Sequence, residues 1–289
     1  MDTNSSISIP EVVLSSSSRR MPLLGMGTAT PPVPPEETKA AIIQAIELGY
    51  RHFDTAALYV TGASRRSHCR STFSALQLKY IDLYLIHWPV TSRPGTFEFP
   101  IKQEDFLPMD FKGVWRAMEE CQKIGLTKSI GVSNFSCKKL SEILSIAEIP
   151  PAVNQVEINP LWQQKKLLEF CKENGIVLTA YASLGARGTI WGSNRVMENE
   201  TLIRIASAKR KSVAQMCLRW AYEQGTCVLV KSFNKERMKQ NLDIINWTLS
   251  EEESKQISEI PQSRGCRGED YISEKGPFKT VEELWDGEI

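Results

Sequence analysis

A chain of 289 residues, 42% hydrophobic and 24% charged, is ordinary globular material, long enough to bury the core of one large α/β domain or two small ones. Its formal net charge of +1 gives no electrostatic reason to bind nucleic acid or an anionic membrane, and no apolar run approaches the roughly 20 residues that span a bilayer. Seven cysteines without a C-x-x-C pair predict reduced thiols of an intracellular protein, and the polar start MDTNSSISIP lacks the basic flank and apolar run of a signal peptide.

In chain order, residues 12–27 predict a hairpin and a first strand ending at Gly27. Residues 35–50 predict a helix: Glu36 and Glu37 suit its first turn, Ala40, Ile43, Ala45 and Ile46 repeat at helical spacing, and Gly49 stops it. A strand follows at RHFDTAA, and another at YIDLYLIHWPV (80–90), ended by Pro89. FKGVWRAMEECQKIG (111–125) is an amphipathic helix. KSIGVSNF is a strand, and SCKKLSEILSIA a helix with Ser136 as its N-cap. AVNQVEINP, IVLTAYASLG and TCVLVKSF are strands, and between and after them come the helical stretches QKKLLEFCKENG, NETLIRIASAKRKS, VAQMCLRWAYEQG and NKERMKQNLDII. The last 30 residues predict irregular structure with a short final helix.

Strands that read as nearly continuous apolar runs, alternating with helices, predict a parallel sheet covered on both faces. A doubly wound sheet and a (β/α)8 barrel both satisfy this. GMGTAT (25–30) lacks the third glycine of a dinucleotide fingerprint and opens no helix. Polar residues gather instead where strands end: Asp54, His87, Ser133, Asn134, Gln155, Glu157, Tyr181, Lys231 and Ser232. That is the barrel's arrangement. The strands, near 22, 52, 81, 129, 153, 177 and 227, number seven where a barrel needs eight. Taken singly, each candidate has a plain alternative: Asp54 a turn cap, Tyr59 a half-buried aromatic, His87 a satisfied core histidine. No metal is predicted, because adjacent His68 and Cys69 have no partners at ligand spacing.

The segments MPLLGMGT, GYRHFDTAALY, YIDLYLIHWPV, SIGVSNF, PAVNQVEINP, LTAYASLGARG and VLVKSFNKERMKQNLDI together resemble the aldo-keto reductase superfamily. The tail IPQSRGCRGEDYISEKGPFKTVEELWDGEI resembles its plant branch of codeinone, methylecgonone and chalcone-type reductases. The resemblance implies one (β/α)8 TIM-barrel domain over residues 1–289, with residues 260–289 as a substrate-loop tail. It breaks at residues 60 to about 75, and implies a barrel lacking one βα unit, the second helix and third strand, within a shortened segment at 60–79. Unpaired strand edges there predict lower stability and aggregation.

The resemblance further implies NADPH-dependent reduction of a small-molecule ketone or aldehyde, by a monomer in the cytoplasm, in plant specialised metabolism. Asp54, Tyr59 and His87 match three members of the family's catalytic tetrad. Ser133, Asn134 and Gln155 match positions that hold the nicotinamide carboxamide, and Tyr181 the ring that stacks on the nicotinamide. Ser183 and Leu184 follow it, with Ala182 where the family often has serine. Lys231, Ser232, Phe233, Arg237, Gln240 and Asn241 match the grip on the adenosine 2′-phosphate and adenine, Gln240 replacing a frequent glutamate. His87, Trp88 and Trp115 are expected to wall the substrate pocket, and GCRGEDY (265–271) to line it.

The tetrad's fourth member, a lysine on the third strand, has no counterpart. A tyrosine with a pKa of about 10 is a poor acid at neutral pH, and a cation within roughly 4–6 Å lowers it by about 1–3 units. Without the lysine, Asp54 is expected to stand as an unpaired anion that raises the Tyr59 pKa. Arg65, Arg66 and Arg70 offer charge, without lysine's compact contact. The competing expectations are a non-catalytic NADPH-binding remnant and, more weakly, a phosphate-substrate barrel enzyme using the KSF segment.

Overall fold

The computed structural model describes residues 8–29, 33–56, 77–93, 101–189 and 191–289. Tyr59, Arg65, Arg66, His68, Cys69 and Arg70, and most of the shortened segment, lie outside the described residues.

The chain opens with an antiparallel hairpin, β1 (Glu11–Leu14) and β2 (Arg19–Pro22), in register Glu11↔Pro22 to Leu14↔Arg19. Strands β3 (Leu24–Gly27), β4 (Phe53–Asp54) and β5 (Ile81–Ile86) follow, then a small hairpin of β6 (Thr91–Ser92) and β7 (Phe106–Leu107), then β8 (Thr127–Ser133), β9 (Val153–Glu157), β10 (Val177–Tyr181) and β11 (Cys227–Val230). Seven of these form one sheet in the order β4-β3-β11-β10-β9-β8-β5. Every pairing in it is parallel. The seven strands stand where the apolar runs predict them. β8 and β11 are buried almost throughout because helices cover the outer face while the inner face meets side chains from across the curl.

The curl is visible in one contact. Asp54 on edge strand β4 is hydrogen-bonded to Gln155 on β9, which is not its neighbour but four places along the sheet. The sheet therefore bends into a half-barrel. Its two edges, β4 and β5, flank residues 57–76, and no strand joins them among the described residues.

The covering helices are α1 (Pro35–Leu48), α2 (Phe111–Lys123), α3 (Cys137–Ile146), α4 (Lys165–Glu173), α5 (Glu200–Ala208), α6 (Val213–Glu223), α7 (Lys235–Leu242) and α8 (Glu251–Ser258). Ser136, the expected N-cap, accepts the Lys139 N–H at 3.2 Å, and at α6 Ser212 with Gln215 forms a capping box. The main core joins Leu24, Met26, Ile130, Val132, Val156 and Ala180 of the sheet to Trp115, Leu140, Leu202 and Trp220 of the helices. The β1–β2 hairpin plugs the end where strands begin: Leu14 and Met21 pack on Ala152, Val153 and Cys227, and Ser17 Oγ meets Ser129 Oγ at 2.7 Å.

At the opposite end the tail folds back through a last helix, α9 (Val281–Trp285). Tyr271, Val281, Leu284 and Trp285 bury Val90 and Phe106 beyond β5. Burying one tryptophan removes about 150–250 Å² from water, roughly 4–6 kcal/mol at ~25 cal/mol per Å², so Trp285 is a main fastener. Lys139, buried on α3, adds bonds to Asp286 and to the Leu284 carbonyl. The six described cysteines are all free thiols, and no helix among the described residues is long and apolar enough to cross a membrane.

Candidate active site

Parallel strands in register deliver their last residues to one rim. Ser133 sits opposite Gln155, and Tyr181 opposite Glu157. The Ser133 hydroxyl donates to the Gln155 carbonyl at 2.7 Å, and the Asn134 N–H donates to the same oxygen at 2.9 Å. Asn134 is left-handed, with φ 63°, a conformation asparagine tolerates better than most residues. The turn aims its amide inward. Nδ2 donates to the His87 carbonyl at 3.0 Å and to Ser133 Oγ at 3.2 Å, and Oδ1 accepts the Tyr181 hydroxyl at 2.7 Å. One side chain thus ties the ends of β5, β8 and β10 together. Neighbouring Asn154 supports the turn by donating to the Phe135 carbonyl at 2.9 Å.

Burial pushes the Tyr181 hydroxyl well above its ordinary pKa, so it is a neutral donor, not an acid, at physiological pH. Its ring lies 6.3 Å from that of Trp191, nearly perpendicular at 79°. His87 is half-buried just past β5. Asp54 is not left without a partner, contrary to expectation: Gln155 Nε2 donates to its Oδ1 at 3.0 Å. An amide steadies a carboxylate by hydrogen bonding without bringing a countercharge, and Asp54 makes no ion pair among the described residues.

The two expected pocket tryptophans part company. Trp88 lies against the tail, 4.5 Å from the Tyr271 ring and 5.7 Å from Trp285. Trp115 belongs elsewhere. It is 1% exposed in the helix–sheet core, with its indole N–H donated to the Ile149 carbonyl, so a packed helix face, not a pocket, accounts for it.

Along the rim, Ala182 and Gly185 are left-handed and close a turn through Gly185 N–H to Ala182 O at 2.9 Å. Ser183 is buried in that turn, and its hydroxyl has no hydrogen-bond partner among the described residues. Leu184 packs on the main core. Beyond β11, Lys231 is exposed, Ser232 is buried and bonded to the backbone of Asn234, and Phe233 is half-buried. On α7, Arg237 and Gln240 are exposed. Lys231 and Arg237 enter no ion pair among the described residues. Asn241 is buried, and its side chain meets the hydroxyl of Tyr50, whose own proton goes to the Met238 carbonyl.

Three more residues join the site, of which only Cys266, within the 265–271 segment, had an expected role as pocket lining. Glu157, 2% exposed, shares a strand face with Gln155, and a carboxylate two residues further along an apolar strand was the available signal. Arg264 and Cys266 come from the tail; Cys266 falls in the segment expected to line the pocket, and nothing local marks Arg264. Burial pushes the Glu157 carboxyl up against the lowering effect of the backbone N–H of Cys266 and the charge of Arg264, and pushes the Cys266 thiol up to about 12. No group of three or more potential metal ligands occurs among the described residues.

A parallel α/β half-barrel with hydroxyl, amide, carboxylate and aromatic groups converging on the carboxyl rim of its strands is a barrel enzyme's scaffold and site. The defining pattern of the Aldo/keto reductase family matches residues 66–262, and the chain belongs to that family of oxidoreductases. The match starts at residue 66, inside the stretch where the motif resemblance breaks. Deoxymugineic acid synthase 1 of Zea mays is 52% identical over 304 aligned positions, covering 93% of this chain and 97% of the relative. The (1S)-1,7-diacetoxy-luvungin A aldo-keto reductase of Citrus sinensis is 52% identical over 316 positions, covering 97% and 99%. The 7-acetyl-epi-neemfruitin B aldo-keto reductase of Melia azedarach is 51% identical over 318, covering 98% and 99%. In the first comparison 93% of 289 residues is about 269, so about 35 of the 304 positions have no residue of this chain opposite them.

Proposed function

We propose that the chain is an NADPH-binding member of its family built for reduction of a ketone or aldehyde in plant specialised metabolism, with turnover impaired by loss of the catalytic lysine. The observation that carries this is the bonded group of Ser133, Asn134, Gln155 and Tyr181 at the strand ends. It is a pre-organised set of amide and hydroxyl groups beside an aromatic face, suited to a planar carboxamide-bearing ring.

The residues present fit the cofactor. Ser183 carries a buried hydroxyl without a partner among the described residues, which a phosphate oxygen would satisfy, with Leu184 beside it. Lys231 and Arg237, which enter no ion pair among the described residues, supply cations next to the N-terminus of α7, where a phosphate dianion is favoured. Ser232, Phe233, Gln240 and Asn241 would complete the adenosine end. NADPH supplies the hydride when bound. Tyr59 would deliver the proton to the carbonyl oxygen, and His87 would orient that oxygen. Trp88, not Trp115, would wall the pocket.

The missing lysine follows from a missing βα unit. Among the described residues the sheet has seven strands, with its two edges flanking residues 57–76, and the maize comparison leaves about 35 positions without a residue of this chain, enough for a strand and its helix. Without a cation, the Tyr59 hydroxyl stays a weak acid, and losing a tuned general acid costs about 10²–10⁴ in rate. Asp54, held by Gln155, no longer serves a lysine. This favours the second reading, an NADPH binder without turnover. A cytoplasmic monomer acting on a small-molecule carbonyl is part of the same proposal.

Fluorescence titration with NADPH, followed in the same sample by carbonyl substrates with NADPH loss as the signal, tests both. Binding with little or no turnover is expected. Efficient turnover would refute the impairment and point to Arg65, Arg66 or Arg70 in the lysine's place. Absence of binding would refute the cofactor assignment.

A further inference from the structure

The tail meets the site at one carboxylate. Glu157 ends β9 beside Gln155's face of the strand, and both its oxygens accept the Gly265 N–H at 3.1 Å, while Oε2 also accepts the Cys266 N–H at 2.7 Å. Asn159 Nδ2 donates to Oε1 at 3.2 Å. The backbone donors come from residues 108 and 109 positions further along the chain. Glycine at 265 is part of the fit: a Cβ there would lie 2.6 Å from Glu157 Oε1, closer than a carbon can approach.

The neighbours of this clamp give it a direction. Arg264 is sandwiched, its guanidinium 3.6 Å from the Trp285 ring and 4.6 Å from Trp162, with Nη2 donated to the Glu288 carbonyl at 2.8 Å. Its charge faces Glu157 and compensates a carboxylate that would otherwise be costly to bury. Cys266 is in side-chain contact with Tyr181. Two residues on, Gly268 is left-handed with φ 75°, and a Cβ there would sit 3.2 Å from the Trp88 ring. The loop 264–268 therefore runs from Tyr181 on one side of the site to Trp88 on the other, and Glu157 is where it is held.

We propose that Glu157 is a positioning residue: by clamping the backbone of Gly265 and Cys266 it sets the stance of the 264–268 loop between Tyr181 and Trp88, and with it the wall that an entering carbonyl substrate meets. The meaning of that wall rests on the reductase reading of the site; the clamp itself does not. Bonds from N–H to a carboxylate are about twice as strong as those to a neutral acceptor. In Glu157→Gln one oxygen becomes an NH₂ facing the same donors, so the clamp is lost with almost no change of volume.

The test uses the full-length chain as wild type, Glu157→Gln and Glu157→Asp, with amide hydrogen exchange by mass spectrometry and maleimide labelling of Cys266. In E157Q, exchange across residues 263–268 is expected to rise about ten-fold or more, with the β9 amides unchanged. Cys266 is expected to label faster while Cys217 and Cys227 do not. E157D, which keeps the charge but withdraws it by one methylene, is expected to fall between. Unaltered exchange and labelling in both variants would overturn the clamp. So would loss of protection spread equally through β9, since that marks a residue of the whole fold. Failure of the reductase reading shows separately, as wild-type protein that does not bind NADPH.

Discussion

Replacing Asn134 with alanine strikes the contact that assembles the site. Three costs can be worked out. The Tyr181 hydroxyl, buried and held neutral, loses its 2.7 Å amide acceptor and keeps only the weaker contact with the Cys266 sulfur, and a poorly satisfied buried hydroxyl costs about 1–3 kcal/mol. The His87 carbonyl loses a donor at 3.0 Å, about 1 kcal/mol. The backbone at φ 63° is harder for alanine than for asparagine, about 1 kcal/mol. Together N134A is expected to lose about 3–5 kcal/mol in urea unfolding, or on the order of 10 °C in melting temperature. Asn134→Gly removes the same bonds but relaxes the backbone, and is expected to recover about 1 kcal/mol of that loss. NADPH affinity is expected to fall in both, because Tyr181 loses its orientation. A loss below 1 kcal/mol in N134A, or a glycine variant less stable than the alanine one, would refute the assignment of Asn134 as the hub.

Arg237→Ala is expected to weaken NADPH binding about 10–100-fold, the worth of about 1.5–3 kcal/mol of charged hydrogen bonding, and to leave NADH almost unchanged. An equal loss for both cofactors, by fluorescence titration, would show that Arg237 does not meet the 2′-phosphate. Asp286→Asn tests the tail's ionic anchor. Burial would raise the Asp286 pKa, but Lys139, Ser136 and Lys138 outweigh it and hold the carboxyl below its usual 3.8. A depressed folded pKa makes the contribution fully present above 3.8 and lost as pH falls below it. At neutral pH D286N is expected to cost about 2–3 kcal/mol, less than the ~3–5 of a fully buried pair because Lys139 keeps the Leu284 carbonyl. The gap between wild type and variant in denaturant melts should close below pH 3.8, and a gap that persists there would count against the ion pair.

The seven described strands of the sheet, the helices with the Ser136 cap, and the rim position of Ser133, Asn134, Gln155 and Tyr181 were legible in the sequence. Each depends on signals within one element: apolar runs, helical spacing, Ser136 before a helix, polar residues at the ends of strands. The family motifs are likewise local strings, which is why family membership was legible before any contact was known. The partners were not legible. Asp54 finds Gln155, 101 residues away, because the sheet curls β4 toward β9, and no pattern around Asp54 encodes that curvature. Trp115 stands on the amphipathic helix 111–125 as predicted, yet whether an aromatic ring on that helix meets substrate or core depends on which face the sheet covers. Glu157, Arg264 and Cys266 belong together only once the tail has folded back over the rim. Local sequence determines elements because backbone hydrogen bonding and side-chain spacing act over a few residues. Only the tertiary structure decides which buried charge meets which donor, because that choice is made by packing between segments far apart in the chain.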